Sequence, residues 1–180
     1  MLQRIGSAPD CITEETSMSI IGSRQDIRIA VPSSIGNTQD ANAWLASMSD
    51  SGWRVLTDFR NWSNWMPGVH DAKLADSEPP ARGTKLQIDR GHKTSACTIN
   101  HWDPPRCLQV SIELATGEIA YGFLIETSAK DAEIHISLEL ERSLIGISRI
   151  AAFFFRWRQQ RLGRQMLVNL TARMRPAKNF

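Results

Sequence analysis

Residues 143–174 constrain the fold of this chain more than any other stretch. After Gly146 the segment holds no proline and one interior glycine, Gly163, among good helix formers. At about 100° per residue, Ala151, Phe155, Leu162, Met166 and Leu170 fall on one apolar stripe. Upstream, back to about Gly83, the chain alternates at strand period with turn signals between runs. The cleanest run sets Ile134, Ile136, Leu138 and Leu140 against His135, Ser137, Glu139 and Glu141. A long amphipathic helix after several one-sided strands buries both apolar surfaces by lying across one face of a curved antiparallel sheet. The expected class is therefore α+β.

At 180 residues, one well-buried core and an additional arm can be accommodated. A net charge of +2 demands neither nucleic acid nor an acidic partner. The cysteines, Cys11, Cys97 and Cys107, lack zinc-type spacing, and their odd number argues against a disulfide framework and for a reducing compartment. The first residues contain no uninterrupted apolar run of the secretory kind. The apolar cluster 150–155 is too short for a transmembrane segment. The expectation is a soluble, cytoplasmic protein.

Along the chain, residues 1–38 read as an N-terminal extension, either a poorly ordered arm or an extra strand or cover through Ile20-Ile21 and Ile27 to Val31. The domain proper is expected over 39–175. Asp40 to Met48 reads as a first strand, with Ala41, Ala43 and Leu45 opposing Asn42, Trp44 and Ala46. Ser49-Asp50-Ser51 then offers caps for a short helix carrying Trp53, Leu56 and Phe59. Asn61 caps a second turn, Trp62 to Met66, which Pro67-Gly68 stops. Strands are expected at Asp71–Ser77, Thr84–Arg90, Thr94–Trp102, Leu108–Leu114, Ile119–Ile125 and Ile134–Leu140, with Asp103-Pro104-Pro105-Arg106 as the strongest turn.

This order of elements resembles the helix-grip fold. Trp53-Arg54-Val55-Leu56-Thr57-Asp58-Phe59, Trp62 and Trp65-Met66-Pro67-Gly68-Val69 are similar to the SRPBCC (START-like) superfamily, and most of all to its polyketide cyclase/dehydrase-like branch. Gly83-Thr84 and the Asp103-Pro104-Pro105 turn with Leu108 fit the same pattern. The likeness covers about residues 40–174, and these scaffold motifs are nearly silent on activity. It implies a cavity between the concave sheet and the long helix, closed at one end by the two short helices. Its lining would be Trp65, Leu86, Ile88, Leu108, Val110, Ile112, Tyr121, Phe123, Ile136 and Leu138, faced by Phe155, Leu162 and Met166. Periodicity alone is equally satisfied by an ordinary filled core.

Two residues are candidates for chemistry. If the turn pairs Trp102 with Cys107, His101 opposes Leu108 and Ile99 opposes Val110, which puts His101 on the dry face. It would move a proton in an aldol closure or dehydration, with Tyr121 orienting a carbonyl oxygen. The alternative is a half-solvated histidine at the rim, since a one-residue slip reverses its face. The same register sets Cys97 and Cys107 on opposite faces. His70, His92, His101 and His135 show no metal-ligand spacing, so neither a metal nor another cofactor is expected.

The helix also carries Arg156, Arg158, Arg161 and Arg164 around Trp157, which read as a solvated face and not as a nucleic-acid or membrane patch. Phe153, Trp157, Ile150 and Val168 lie opposite the grip stripe. Such a ridge calls for a cover, either the N-terminal arm or the same helix of a second subunit in a homodimer. The leading functional expectation is binding of a small or medium hydrophobic ligand: a lipid, polyketide, quinone or related aromatic. The second is a cyclase or dehydratase acting on a poly-β-keto substrate, and the third an interaction protein with a collapsed cavity.

Overall fold

The computed structural model describes residues 20–75, 79–114, 117–144 and 149–175. Its elements are β1 (Ile20–Ala30), α1 (Thr38–Thr57), a 3-10 helix (Phe59–Asn64), β2 (Asp71–Leu74), β3 (Lys85–Asp89), β4 (Thr94–Asp103), β5 (Cys107–Leu114), β6 (Gly117–Ser128), β7 (Glu133–Leu144) and α2 (Arg149–Thr171). The strands form one antiparallel sheet in the order β1-β7-β6-β5-β4-β3-β2. Its inner rows are apolar and buried: Leu86, Ile88, Cys97, Ile99, Leu108, Val110, Ile112, Tyr121, Phe123, Ile125, Ile134, Ile136, Leu138 and Leu140. From the helix side Met166, Leu167 and Leu170 meet them. This is the helix-grip arrangement, with alternation at period two on the sheet answered by period 3.6 on α2.

The segment expected as a first strand, Asp40–Met48, is helical. It belongs to a single 20-residue helix that begins where the Asn37 side chain accepts a hydrogen bond from the Asp40 amide. The alternation Ala41, Ala43, Leu45 misleads because alanine fits either face. The buried residues Trp44, Leu45, Met48, Ser51, Gly52 and Leu56 instead follow a helical stripe. The cap is Asn37, and Ser49-Asp50-Ser51, expected to cap a helix, lies mid-helix. The second short helix is a 3-10 segment at Phe59–Asn64, earlier than expected. Replacing Asn37 with alanine should cost about 1 kcal/mol of stability in urea unfolding, the usual loss when a cap leaves an amide unsatisfied. An unchanged midpoint would show that the first turn is held by burial alone.

Two glycines set close approaches. A Cβ at Gly52 would lie 2.9 Å from both Ile125 Cδ1 and Met174 Cε, so α1 sits tight on β6 and on the turn that follows α2. A Cβ at Gly163 would lie 2.9 Å from Leu140 Cδ1 and 3.0 Å from Gln25 Cγ, so α2 descends onto β7 and β1. Residues Ile20–Ala30 are thus neither loose nor wrapped round the back of α2. They pair along β7, with Ile27, Ile29 and Val31 packed against the core. Residues 1–19 lie outside the described set.

The aromatic cluster after α1 locks the next corner. Trp62 is fully buried and donates its Nε1 hydrogen to the Leu56 carbonyl at 2.8 Å. Phe59, Trp62, Trp65 and Phe123 meet edge to face in a chain, with ring centroids 5.1, 6.2 and 5.9 Å apart. Asn169 donates to the Trp65 carbonyl at 3.0 Å, and the Arg173 guanidinium donates to the Asn64 carbonyl. The loop after the 3-10 helix is thereby tied to the last turns of α2.

Candidate functional site

The concave side has two chemically different ends. At the end carrying the Asp103–Arg106 turn, α1 covers the sheet, Trp53 meets Trp102 edge to face at 5.0 Å, and the lining is apolar. The other end is where β3, β5 and β7 finish and β4, β6 and β1 begin. Here the inner rows of β3, β4 and β7 continue into polar residues, while those of β5 and β6 stay apolar through Ile112 and Ile119. Ser95 pairs with Ile88 on the inner row and is buried. Arg90 follows Ile88, two positions on. Tyr121 pairs with Val110 and Leu140 and is buried. Arg142 pairs with Ile119, two positions beyond Leu140. Above them, α2 contributes Phe155 and Gln159.

Several of these groups have no hydrogen-bond partner in the protein. Gln159 is 6% exposed, yet neither its amide nitrogen nor its amide oxygen is bonded. Ser23 Oγ, Trp65 Nε1 and Arg142 Nε are likewise buried without a partner. Native interiors leave few such atoms, because each costs about 1–3 kcal/mol. Ser23, which pairs with Leu140, and Arg142, two positions beyond it, lie toward the polar end, whereas Trp65 stands against Phe123 nearer the apolar one.

The charge here is positive. The Arg142 guanidinium carbon stands 4.7 Å from the centroid of the Phe155 ring. Burial lowers its pKa, and the like charges of Arg90 and Arg158 add to that. Burial pushes the Tyr121 phenol up, while Arg90 and Arg142 pull the other way. Among the described residues, none of these three arginines pairs with a carboxylate. Burial holds the Cys97 thiol up at about 12, which leaves it no nucleophile near neutrality.

Every lining residue expected from sequence stands on the concave side. Trp65, Leu86, Ile88, Leu108, Val110, Ile112, Tyr121, Phe123, Ile136, Leu138 and Met166 are buried there, with Leu162 and Phe155 half-buried. His101 does not join them. A bulge between Ile99 and His101 shifts the ladder, so Ile99 opposes Val110 as expected but His101 opposes Gln109 and Trp102 opposes Leu108. Leu108 and Val110 point inward, so His101 lies on the convex face, across the sheet from Tyr121. The added residue in β4 reverses its side. Cys97 lies on the inner row and is free, with Cys107 on the opposite face. The argument from an odd cysteine count fails for Cys107, which is disulfide-bonded.

Comparison with known proteins decides the family. The family model described as polyketide cyclase / dehydrase and lipid transport matches residues 50–175. The chain belongs to this family. Comparison with curated proteins finds no match. Among solved structures, the di-domain ARO/CYC BexL from the BE-7585A biosynthetic pathway superposes with a TM-score of 0.60 at 13% identity, over 84% of this chain and 45% of that one. This family member therefore spans under half of BexL. A START superfamily protein from Mycobacterium smegmatis gives a TM-score of 0.56 at 9% identity, over 85% and 96% of the two chains. The Zhui aromatase/cyclase from Streptomyces sp. R1128 gives 0.54 at 12%, over 85% and 92%. At these identities the structures attest the helix-grip, START-like fold of the SRPBCC superfamily, and the site must speak for itself.

Proposed function

We propose that this member of the polyketide cyclase / dehydrase and lipid transport family binds one small or medium apolar molecule between sheet and α2, with an oxygen-bearing end held at Arg142, Gln159 and Tyr121. The observation that carries this reading is the buried, unpartnered Gln159 amide beside an unpaired arginine, at one end of an otherwise apolar face. A ligand with one oxygenated end and an apolar body matches both halves: the body replaces water on the inner rows, and the oxygen completes the polar groups. Lipids, polyketides, quinones and related aromatics fit that description.

An enzymatic reading, closure or dehydration of a poly-β-keto chain, draws on Tyr121 beside Arg90 and Arg142. Those groups would polarise a carbonyl and stabilise an enolate. Among the described residues, however, the inner rows of the strands carry no histidine, aspartate or glutamate to take the proton, and His101 lies outside. Binding is therefore the better-supported function.

Native mass spectrometry before and after organic extraction, with displacement of an environment-sensitive dye, tests the proposal. A quinone or aromatic polyketone should displace the dye, and the matched hydrocarbon should do so at least about tenfold more weakly, since a site built for a polar group discriminates strongly against its loss. Leu162→Trp should block uptake while leaving unfolding cooperative, because it fills space on the helix side of the lining. Protein that neither carries nor takes up any of these molecules would refute the function.

A further inference from the structure

We propose that the outward face of α2 docks on an anionic lipid bilayer. Around the helix, the buried residues Gln159, Met166 and Leu170 centre near one direction. At about 100° per residue, Phe153, Phe154, Trp157 and Val168 fall within an arc of about 100° on the opposite side. All four are exposed, Phe153 at 70% and Trp157 at 59%. Arg161 and Arg164 lie inside the same arc and are also exposed. Single exposed apolar residues are ordinary on soluble proteins, but three aromatics and a valine on one helix face are not.

The charge of the segment selects the occupant. From Arg142 to Phe180 the chain contains no aspartate or glutamate, while α2 alone carries five arginines. Against a second copy of this chain, the same face would bring like charges together, and like-charge juxtaposition opposes association. Against an anionic bilayer both features are complementary. The aromatic rings suit the headgroup boundary, where their apolar bodies leave water. The guanidinium groups meet lipid phosphates, each adding attraction that salt screens. A 23-residue helix is about 34 Å long and can lie flat on a bilayer surface. It is also not apolar enough to cross one.

The docking face belongs to the helix whose inner side carries Phe155 and Gln159, so a protein seated this way holds its candidate site directly over the bilayer. The surface is nevertheless independent of the ligand reading. Leu162→Trp, which should abolish uptake, should leave docking unchanged.

Sedimentation with phosphatidylcholine vesicles, with and without phosphatidylglycerol, tests the proposal on the full chain. The protein should partition onto the mixed vesicles at least about tenfold more strongly, and high salt should release it. The double variant Phe153→Ser/Trp157→Ser should lower partitioning by about tenfold or more with its thermal midpoint unchanged, since both rings are exposed in the folded protein. Arg161→Gln/Arg164→Gln should erase the preference for phosphatidylglycerol. Failure to bind either vesicle overturns the proposal. So does a concentration-dependent dimer in vesicle-free buffer that the Phe153→Ser/Trp157→Ser variant abolishes, because the face would then belong to a second subunit.

Discussion

Gln159→Leu is expected to make the empty protein more stable and to weaken ligand binding. The side chain is 6% exposed, on the same side of α2 as Met166 and Leu170, and both its polar atoms lack partners. Each unsatisfied buried atom costs about 1–3 kcal/mol, whereas leucine of similar size loses nothing by leaving water. Urea unfolding should show a gain of about 1–3 kcal/mol, with the slope unchanged. Affinity for a ketone- or quinone-bearing ligand should fall by roughly tenfold, the worth of one hydrogen bond to a charged or polarised site. Gln160→Leu, one position along and exposed, is the control and should alter neither quantity. If Gln159→Leu destabilises the protein and leaves ligand affinity untouched, the amide is structural and the polar end of the site is wrongly placed.

The second large effect is expected at Trp62. Trp62→Ala should cost about 3–5 kcal/mol, the range for emptying a fully buried aromatic position. Three things are lost together: the ring volume, its edge contacts to Phe59 and Trp65, and the hydrogen bond from Nε1 to the Leu56 carbonyl at the end of α1. Against a usual total of about 5–15 kcal/mol, that is a large share of the protein's stability. Trp62→Phe keeps most of the ring but leaves the Leu56 carbonyl without its donor, and about 1–3 kcal/mol is the expected loss. Equal, small losses for the two variants would mean that the corner is held by the strands and not by the tryptophan.

The sheet was legible because β5, β6 and β7 obey period two with turn residues between them, and a hydrophobic face does not depend on exact register. The helix over 38–57 was not, because alanine and serine carry no period and its cap, Asn37, sits in a run that also reads as a strand breaker. His101 shows how fragile facing is: one bulged residue in β4 moved it to the convex side, though the pairing of Ile99 with Val110 was read correctly. The proposed polar end of the site leaves a signal in the sequence. Continuing the inner rows by one step past Leu140 and Ile88 reaches Arg142 and Arg90, and the turn between Phe155 and Leu162 holds Gln159. A search for apolar lining passes over these residues, since a polar side chain at an inward position looks like the end of a strand. The burial of the Gln159 amide and of Arg142 Nε without partners is visible only in three dimensions. The disulfide at Cys107 was invisible for another reason: a count of cysteines carries no geometry.

The pairing of β1 with β7 has a consequence for how the protein is made. Arg24 on the first strand meets Ser137 on the last at a separation of 113 residues. A ribosome adding roughly 5–20 residues each second leaves β1 waiting about 5–20 s for its partner to emerge. Throughout that interval it is an unpaired strand, the kind of segment that recruits neighbouring nascent chains. Arg24, Asp26 and Arg28 alternate along one side of it, and in the finished sheet they face solvent and pair with Glu139, His135 and Glu133. The same charges that decorate the outer face at the end of folding keep the orphan strand from stacking on another copy while translation continues.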